Sequence, residues 1–198
     1  MTRLVMTRTN WSENRDRPPG ETFQARVRLL GWEAHSTWGY DAATESFVAT
    51  VRRNDSDEAY ELGQQGPPLR WADCLAAEIL DRTGCDPVSA VRALGIARPR
   101  PVLRRTGDLV ETLSKWLRES LDETGSGYQR GRIAGLAWIV AGTEVAPASG
   151  WRSGGDVPAA ERVDAECVLA KGRVYVGGHQ PRDFYTGVEE ALDFALRT

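Results

Sequence analysis

The stretch Phe23-Gln24-Ala25-Arg26-Val27-Arg28-Leu29 decides the fold class. Apolar side chains at 23, 25, 27 and 29 alternate with Gln24, Arg26 and Arg28. That period of two puts one face of a strand in a core and the other in water. Working outward, a second strand is expected over residues 34–40, then a turn at Asp41-Ala42-Ala43-Thr44. A third strand follows where Phe47, Ala49 and Val51 alternate again. The three read as an antiparallel β-meander whose open face carries Arg26, Arg28 and Arg52.

Upstream, residues 7–22 are polar and contain Pro18-Pro19-Gly20, so residues 1–22 read as a flexible arm. Downstream, residues 54–68 (NDSDEAYELGQQGPP) read as an exposed acidic loop. A helix is expected from near Leu69, with Trp71, Leu75 and Ile79 four apart and Gly84 as its stop. Asp86-Pro87 supplies a cap and a first-turn proline for a short second helix closed by Gly95. Two prolines in residues 97–105 (ARPRPVLRR) exclude a helix there, so residues 98–107 read as a linker between a region 23–97 and a region 108–198. The two regions either stand apart or share one core.

Asp108 with Glu111 resembles a capping box and opens a helix striped by Leu109, Leu113, Trp116, Leu117 and Leu121. Gly125-Ser126-Gly127 breaks it, and a further helix over 128–141 turns apolar all round from Ile133. Residues 142–158 read as a long loop holding Trp151. Residues 165–176 read as a β-hairpin around Lys171-Gly172, with a helix up to Ala170 as the rival. A closing helix is expected, capped by Thr186, with Val188, Ala191, Leu192, Ala195 and Leu196 buried. The expected class is therefore α+β: N-terminal meander, central helices, C-terminal hairpin and closing helix.

Composition excludes several functions. The 198 residues carry 25 basic and 28 acidic side chains, a net charge of −3, which gives no overall attraction to nucleic acid or anionic lipid. The longest apolar run, 133–142, is half of the ~20 residues a membrane span requires, and the N-terminus has no apolar signal core. A bacterial cytoplasmic protein with no membrane partner is the expectation. Cys74, Cys85 and Cys167 lack a CxxC spacing and His35 and His179 are the only histidines, so no metal site and no cofactor are expected.

Chemistry-bearing motifs are few. His179 lies in Gly177-Gly178-His179-Gln180-Pro181-Arg182-Asp183, where Asp183 would orient an imidazole, but no serine or cysteine sits in a nucleophile elbow. Residues 124–132 (TGSGYQRGR) are glycine-rich yet lack the phosphate-loop lysine, so they read as a helix-breaking linker, with anion binding at Arg130 and Arg132 as the alternative. Residues 76–94 fit a helix-turn-helix poorly, with Leu80 where a small residue belongs and Arg92 the single base-reading side chain. All basic residues but Lys115 and Lys171 are arginine, and seven residues are tryptophan. Trp71, Trp116 and Trp138 fall on helices; Trp11, Trp32, Trp38 and Trp151 fall in the arm, the meander and the long loop.

Aromatic rings beside arginines are the composition of interface hot spots. The leading expectation is a non-enzymatic interaction or regulatory protein that binds a protein partner through Trp32, Trp38, Trp151 and neighbouring arginines. The alternative is nucleic-acid binding through Arg26, Arg28, Arg52 and the linker residues Arg98, Arg100, Arg104 and Arg105, with Arg130 and Arg132 adding to it. A small hydrolase or transferase using His179 and Asp183 ranks third. The sequence leaves the oligomeric state open.

Overall fold

The computed structural model describes residues 20–122, 126–152 and 155–196. Most of the expected arm, with Trp11, and Gly125, Ser153 and Gly154 lie outside the described residues. The fold is α+β. Four strands, β1 (Phe23–Arg26), β2 (Thr37–Asp41), β3 (Ser46–Arg52) and β4 (Ala59–Leu62), form one antiparallel sheet in the order β1-β2-β3-β4. Six helices follow among the described residues: α1 (Ala72–Thr83), α2 (Pro87–Ala93), α3 (Thr106–Asp122), α4 (Gly127–Ala141), α5 (Ala160–Val176) and α6 (Arg182–Ala195). The chain divides into two compact units, Met1–Cys85 with Ser89–Ile96, and Asp86–Val88 with Ala97–Thr198.

In the first unit the alternation works as read. Ala25, Trp38, Ala49 and Leu62 are cross-strand partners on one face, and Arg26, Thr37, Thr50 and Glu61 are partners on the other. Phe23, Trp38, Tyr40 and Phe47 make a ring cluster on the inner face, with centroids 5.1 to 6.5 Å apart. Such rings bury the largest apolar area per residue. Helix α1 packs against β3 and β4 and buries Leu75 and Ile79. It starts at Ala72, and Trp71, half-buried, takes the cap position instead of a place in the helix. Gly84 ends it in the left-handed region, with φ 63°.

The reading of 54–68 as an exposed loop is corrected by β4. Tyr60 and Leu62 alternate inward against Val51 and Ala49, while Glu61 bonds Thr50 on the outer face. Half of this short strand, Ala59 and Glu61, is exposed, and the acidic residues just before it hid its period.

The second unit is helical. The helix α3 begins two residues before Asp108, which sits in its first turn and not at its cap. Leu109 and Trp116 are buried on α3, but Leu117 is 45% exposed and does not extend the buried stripe. The expected C-terminal hairpin is a single helix, α5, and no C-terminal strand joins the sheet among the described residues. Every side chain from Val163 to Ala170 is buried there, so the segment shows no period at all. Gly172 is accommodated inside the helix. The closing helix α6 starts at Arg182, after Pro181, so Thr186 lies within it and donates to the Arg182 carbonyl at 3.2 Å.

Helices α4 and α6 meet through glycine. A Cβ on Gly131 would overlap the Phe184 carbonyl, one on Gly187 would overlap the Tyr128 carbonyl, and one on Gly135 would lie 2.8 Å from the Ala191 Cβ. The spacing Gly127, Gly131, Gly135 places all three on one side of α4, letting the two backbones approach closely. Among the described residues no helix is long and apolar enough to cross a membrane.

Candidate functional site

The inner face of the meander takes up two of the expected contact rings. Trp32 and Trp38 are 7% and 6% exposed. Trp32 stacks on Tyr60 at 5.9 Å, with Arg53 over its face, and Trp38 joins the ring cluster. The expectation that they project into solvent is corrected: Trp38 is in phase with Ala25 and Ala49, so the alternation itself turns it inward. Arg26, Arg28 and Arg52 are exposed, and their side chains make no ion pair among the described residues.

The segment read as a linker is bound into the second unit. The Arg98 backbone N–H donates to Asp164 Oδ2 at 2.7 Å, and its guanidinium pairs with Asp164 at 3.1 Å and with Asp193. Burial of Asp164 explains the pairing, because an isolated buried carboxylate is costly. Arg104 lies over the Phe194 ring at 4.7 Å and donates its backbone N–H to the Ala195 carbonyl. Arg132 sits 3.9 Å from the Trp116 ring and 5.6 Å from Tyr128, and pairs with Glu190, which also accepts from the Tyr128 hydroxyl. Three of the expected phosphate ligands, Arg98, Arg104 and Arg132, are thus committed to intramolecular contacts. Arg100, Arg105 and Arg130 are exposed.

His179 is exposed on the turn before α6, and no hydrogen bond joins it to Asp183. Asp183 Oδ1 accepts from the Phe184 backbone N–H. The turn is held instead by the Tyr185 hydroxyl, which accepts from the Gln180 N–H at 3.2 Å. Burial pushes the Cys74 thiol up to about 12 and raises that of Cys167 as well, so neither is a thiolate at neutral pH. Among the described residues no three of His, Cys, Asp and Glu are grouped to hold a metal ion.

What the second unit does display is the loop 142–157. It leaves α4 at Gly142, whose φ of 60° needs glycine, and closes on itself. Val145 and Arg152 form an isolated antiparallel bridge, the Ala146 N–H donates to the Trp151 carbonyl at 2.9 Å, and the Gly150 N–H donates to the Ala146 carbonyl at 3.0 Å. The loop is anchored by Glu166 of α5, which is wholly buried. Its Oε2 accepts from the Ala148 N–H at 3.1 Å and the Ser149 N–H at 3.0 Å, while Oε1 has no hydrogen-bond partner among the described residues. Burial raises the Glu166 carboxyl above its ordinary range; the Ser149 hydroxyl, the two backbone N–H groups and the charge of Arg162 pull the other way.

On the outer side of that loop stands Trp151, 36% exposed, with Val145 and Val157 exposed on the same loop. The Arg162 guanidinium lies 5.8 Å from the Trp151 ring. Neither Arg152 nor Arg162 has an ion-pair partner among the described residues. Of the three expected ring contacts, Trp151 alone is solvent-facing. Glu166 was not singled out from sequence, because the amides it holds are 17 and 18 residues away. The chain matches no family model, and no similarity to a curated protein or a solved structure is found.

Proposed function

We propose that the chain is an interaction protein that docks a protein partner on the loop 142–157, with Trp151 as its anchor. The observation that carries this reading is a tryptophan about one-third exposed on a loop whose backbone is fastened by a buried carboxylate. A fixed loop has little conformational entropy left to lose on binding, so ring contact is turned into affinity more fully. Val145 and Val157 widen the apolar surface. Exposed Arg152 leaves a guanidinium for a carboxylate of the partner, while half-buried Arg162 backs the ring, in the mixture of indole and arginine typical of hot spots. The meander tryptophans have no part in this surface.

The test is capture of the partner by the full chain, followed by a measured affinity for the captured protein. Trp151→Ala is expected to weaken binding by about 2 kcal/mol, roughly thirtyfold. Arg162→Gln is expected to weaken it less. Equal affinity for wild type and Trp151→Ala would remove the reading.

A further inference from the structure

The outer face of the sheet is a second surface, with different chemistry. It presents Gln24 and Arg26 from β1, Thr37 from β2, and Thr50 and Arg52 from β3; Arg28, exposed, follows two residues after Arg26 beyond the end of β1, its backbone N–H on the Ala93 carbonyl. Arg26 and Arg28 are two residues apart along the chain, about 7 Å, and β3 lies two strand spacings from β1, about 10 Å. None of the three guanidinium groups has an ion-pair partner among the described residues. Acidic groups border it: Glu33, Asp55, Asp57 and Glu58 lie in the connections at the Arg28 and Arg52 end, Glu58 being paired with Arg53. Asp41 is at the opposite end, occupied by the Ala43 N–H and the Thr44 hydroxyl, and Glu61 is on β4, bonded by Thr50 and Gln64.

Two absences on this face among the described residues select the occupant. All the rings of the sheet lie on the inner face, so no aromatic side chain is placed to stack an unpaired base. Val48 is the only large apolar side chain at an outer strand position, so a protein partner would find no apolar anchor. A phosphate backbone needs neither. Arginine, threonine and glutamine side chains are the usual donors to phosphate oxygens, which fix position without reading sequence.

We infer that this face binds the phosphate backbone of duplex nucleic acid through Arg26, Arg28 and Arg52, without base readout. The contact is local, because the chain as a whole carries a charge of −3. Three phosphate contacts give a salt slope near −2.7, which corresponds to about a fortyfold loss of affinity between 50 and 200 mM salt.

The experiment is fluorescence anisotropy of the full chain with a short duplex DNA, a duplex RNA and poly-glutamate, titrated with salt. The expected result is binding of a duplex at low salt with that slope. The combined variant Arg26→Gln, Arg28→Gln, Arg52→Gln should abolish it while the circular dichroism spectrum stays unchanged. Glu61→Gln should tighten binding severalfold by removing a like charge. Arg70→Gln, exposed near the Asp41 end, should change it less than twofold. Binding of DNA alone or RNA alone would name the source. Absence of duplex binding at low salt, or undiminished binding by the folded triple variant, would overturn the inference. So would tighter binding of poly-glutamate than of either duplex, which would make the partner an acidic protein segment.

Discussion

The Ser149 backbone N–H donates to Glu166 at 3.0 Å, joining the loop that carries Trp151 to the buried side of α5. One carboxylate oxygen takes two loop amides, and the other takes no hydrogen bond among the described residues. The group therefore acts as a fastening, and its unmatched oxygen makes it an uneasy one.

Replacing it separates those two effects. Glu166→Gln keeps an acceptor oxygen for the Ala148 and Ser149 amides and is expected to leave the loop in place. Glu166→Ala leaves two buried donors unmatched, at about 1–3 kcal/mol each. Hydrogen exchange of those two amides should accelerate strongly in Glu166→Ala and stay slow in Glu166→Gln.

The same residue predicts a pH dependence. Burial raises the Glu166 carboxyl, so the folded state favours the protonated form. Stability from this group is then fully present below its unfolded value, near 4.5, and is lost as pH rises through the higher folded value. Urea unfolding should find wild type and Glu166→Gln closest at low pH, with wild type becoming the less stable of the two as pH rises toward neutrality. A difference that shrinks over that range would contradict the sign.

Helix contact through glycine gives a paired prediction. Gly131→Ala drives a Cβ into the Phe184 carbonyl and should destabilise by about 3 kcal/mol, since the obstacle is backbone. Gly107→Ala, in the first turn of α3 with open space around it, should be neutral or stabilising by up to about 1 kcal/mol. Thermal unfolding of the two variants checks both.

Arg98 links a segment rich in proline to two carboxylates. Arg98→Ala takes one guanidinium from buried Asp164 and should cost about 3 kcal/mol in urea unfolding. Asp193→Ala removes the exposed partner and should cost under about 1 kcal/mol.

The parts of this fold that were legible in the sequence are those with a single buried face. Phe23, Ala25, Val27 and Leu29 alternate because water lies on one side of β1, and the meander followed from them. Helix α5 was misread because its middle is buried on every side, which erases the period, and because Asp164 and Glu166 look like surface residues. Their burial is matched by Arg98 and by loop amides distant in sequence, partners that no local pattern reveals. Trp38 was legible after all: it falls between Thr37 and Gly39, in step with the inner face, and tryptophan content drew attention away from its phase. The four-residue spacing of Gly127, Gly131 and Gly135 likewise stood in the sequence as a sign of close helix approach, obscured because Gly127 read as a helix breaker.

The most direct measurement is site-specific photo-cross-linking to the partner. A cross-linker is placed at Arg152, beside Trp151, or at Leu30, which is 91% exposed in the first unit. The account predicts a partner adduct from position 152, lost when Trp151→Ala is added, and none from position 30. Equal adducts from both positions, or an adduct at 152 that survives Trp151→Ala, would contradict it.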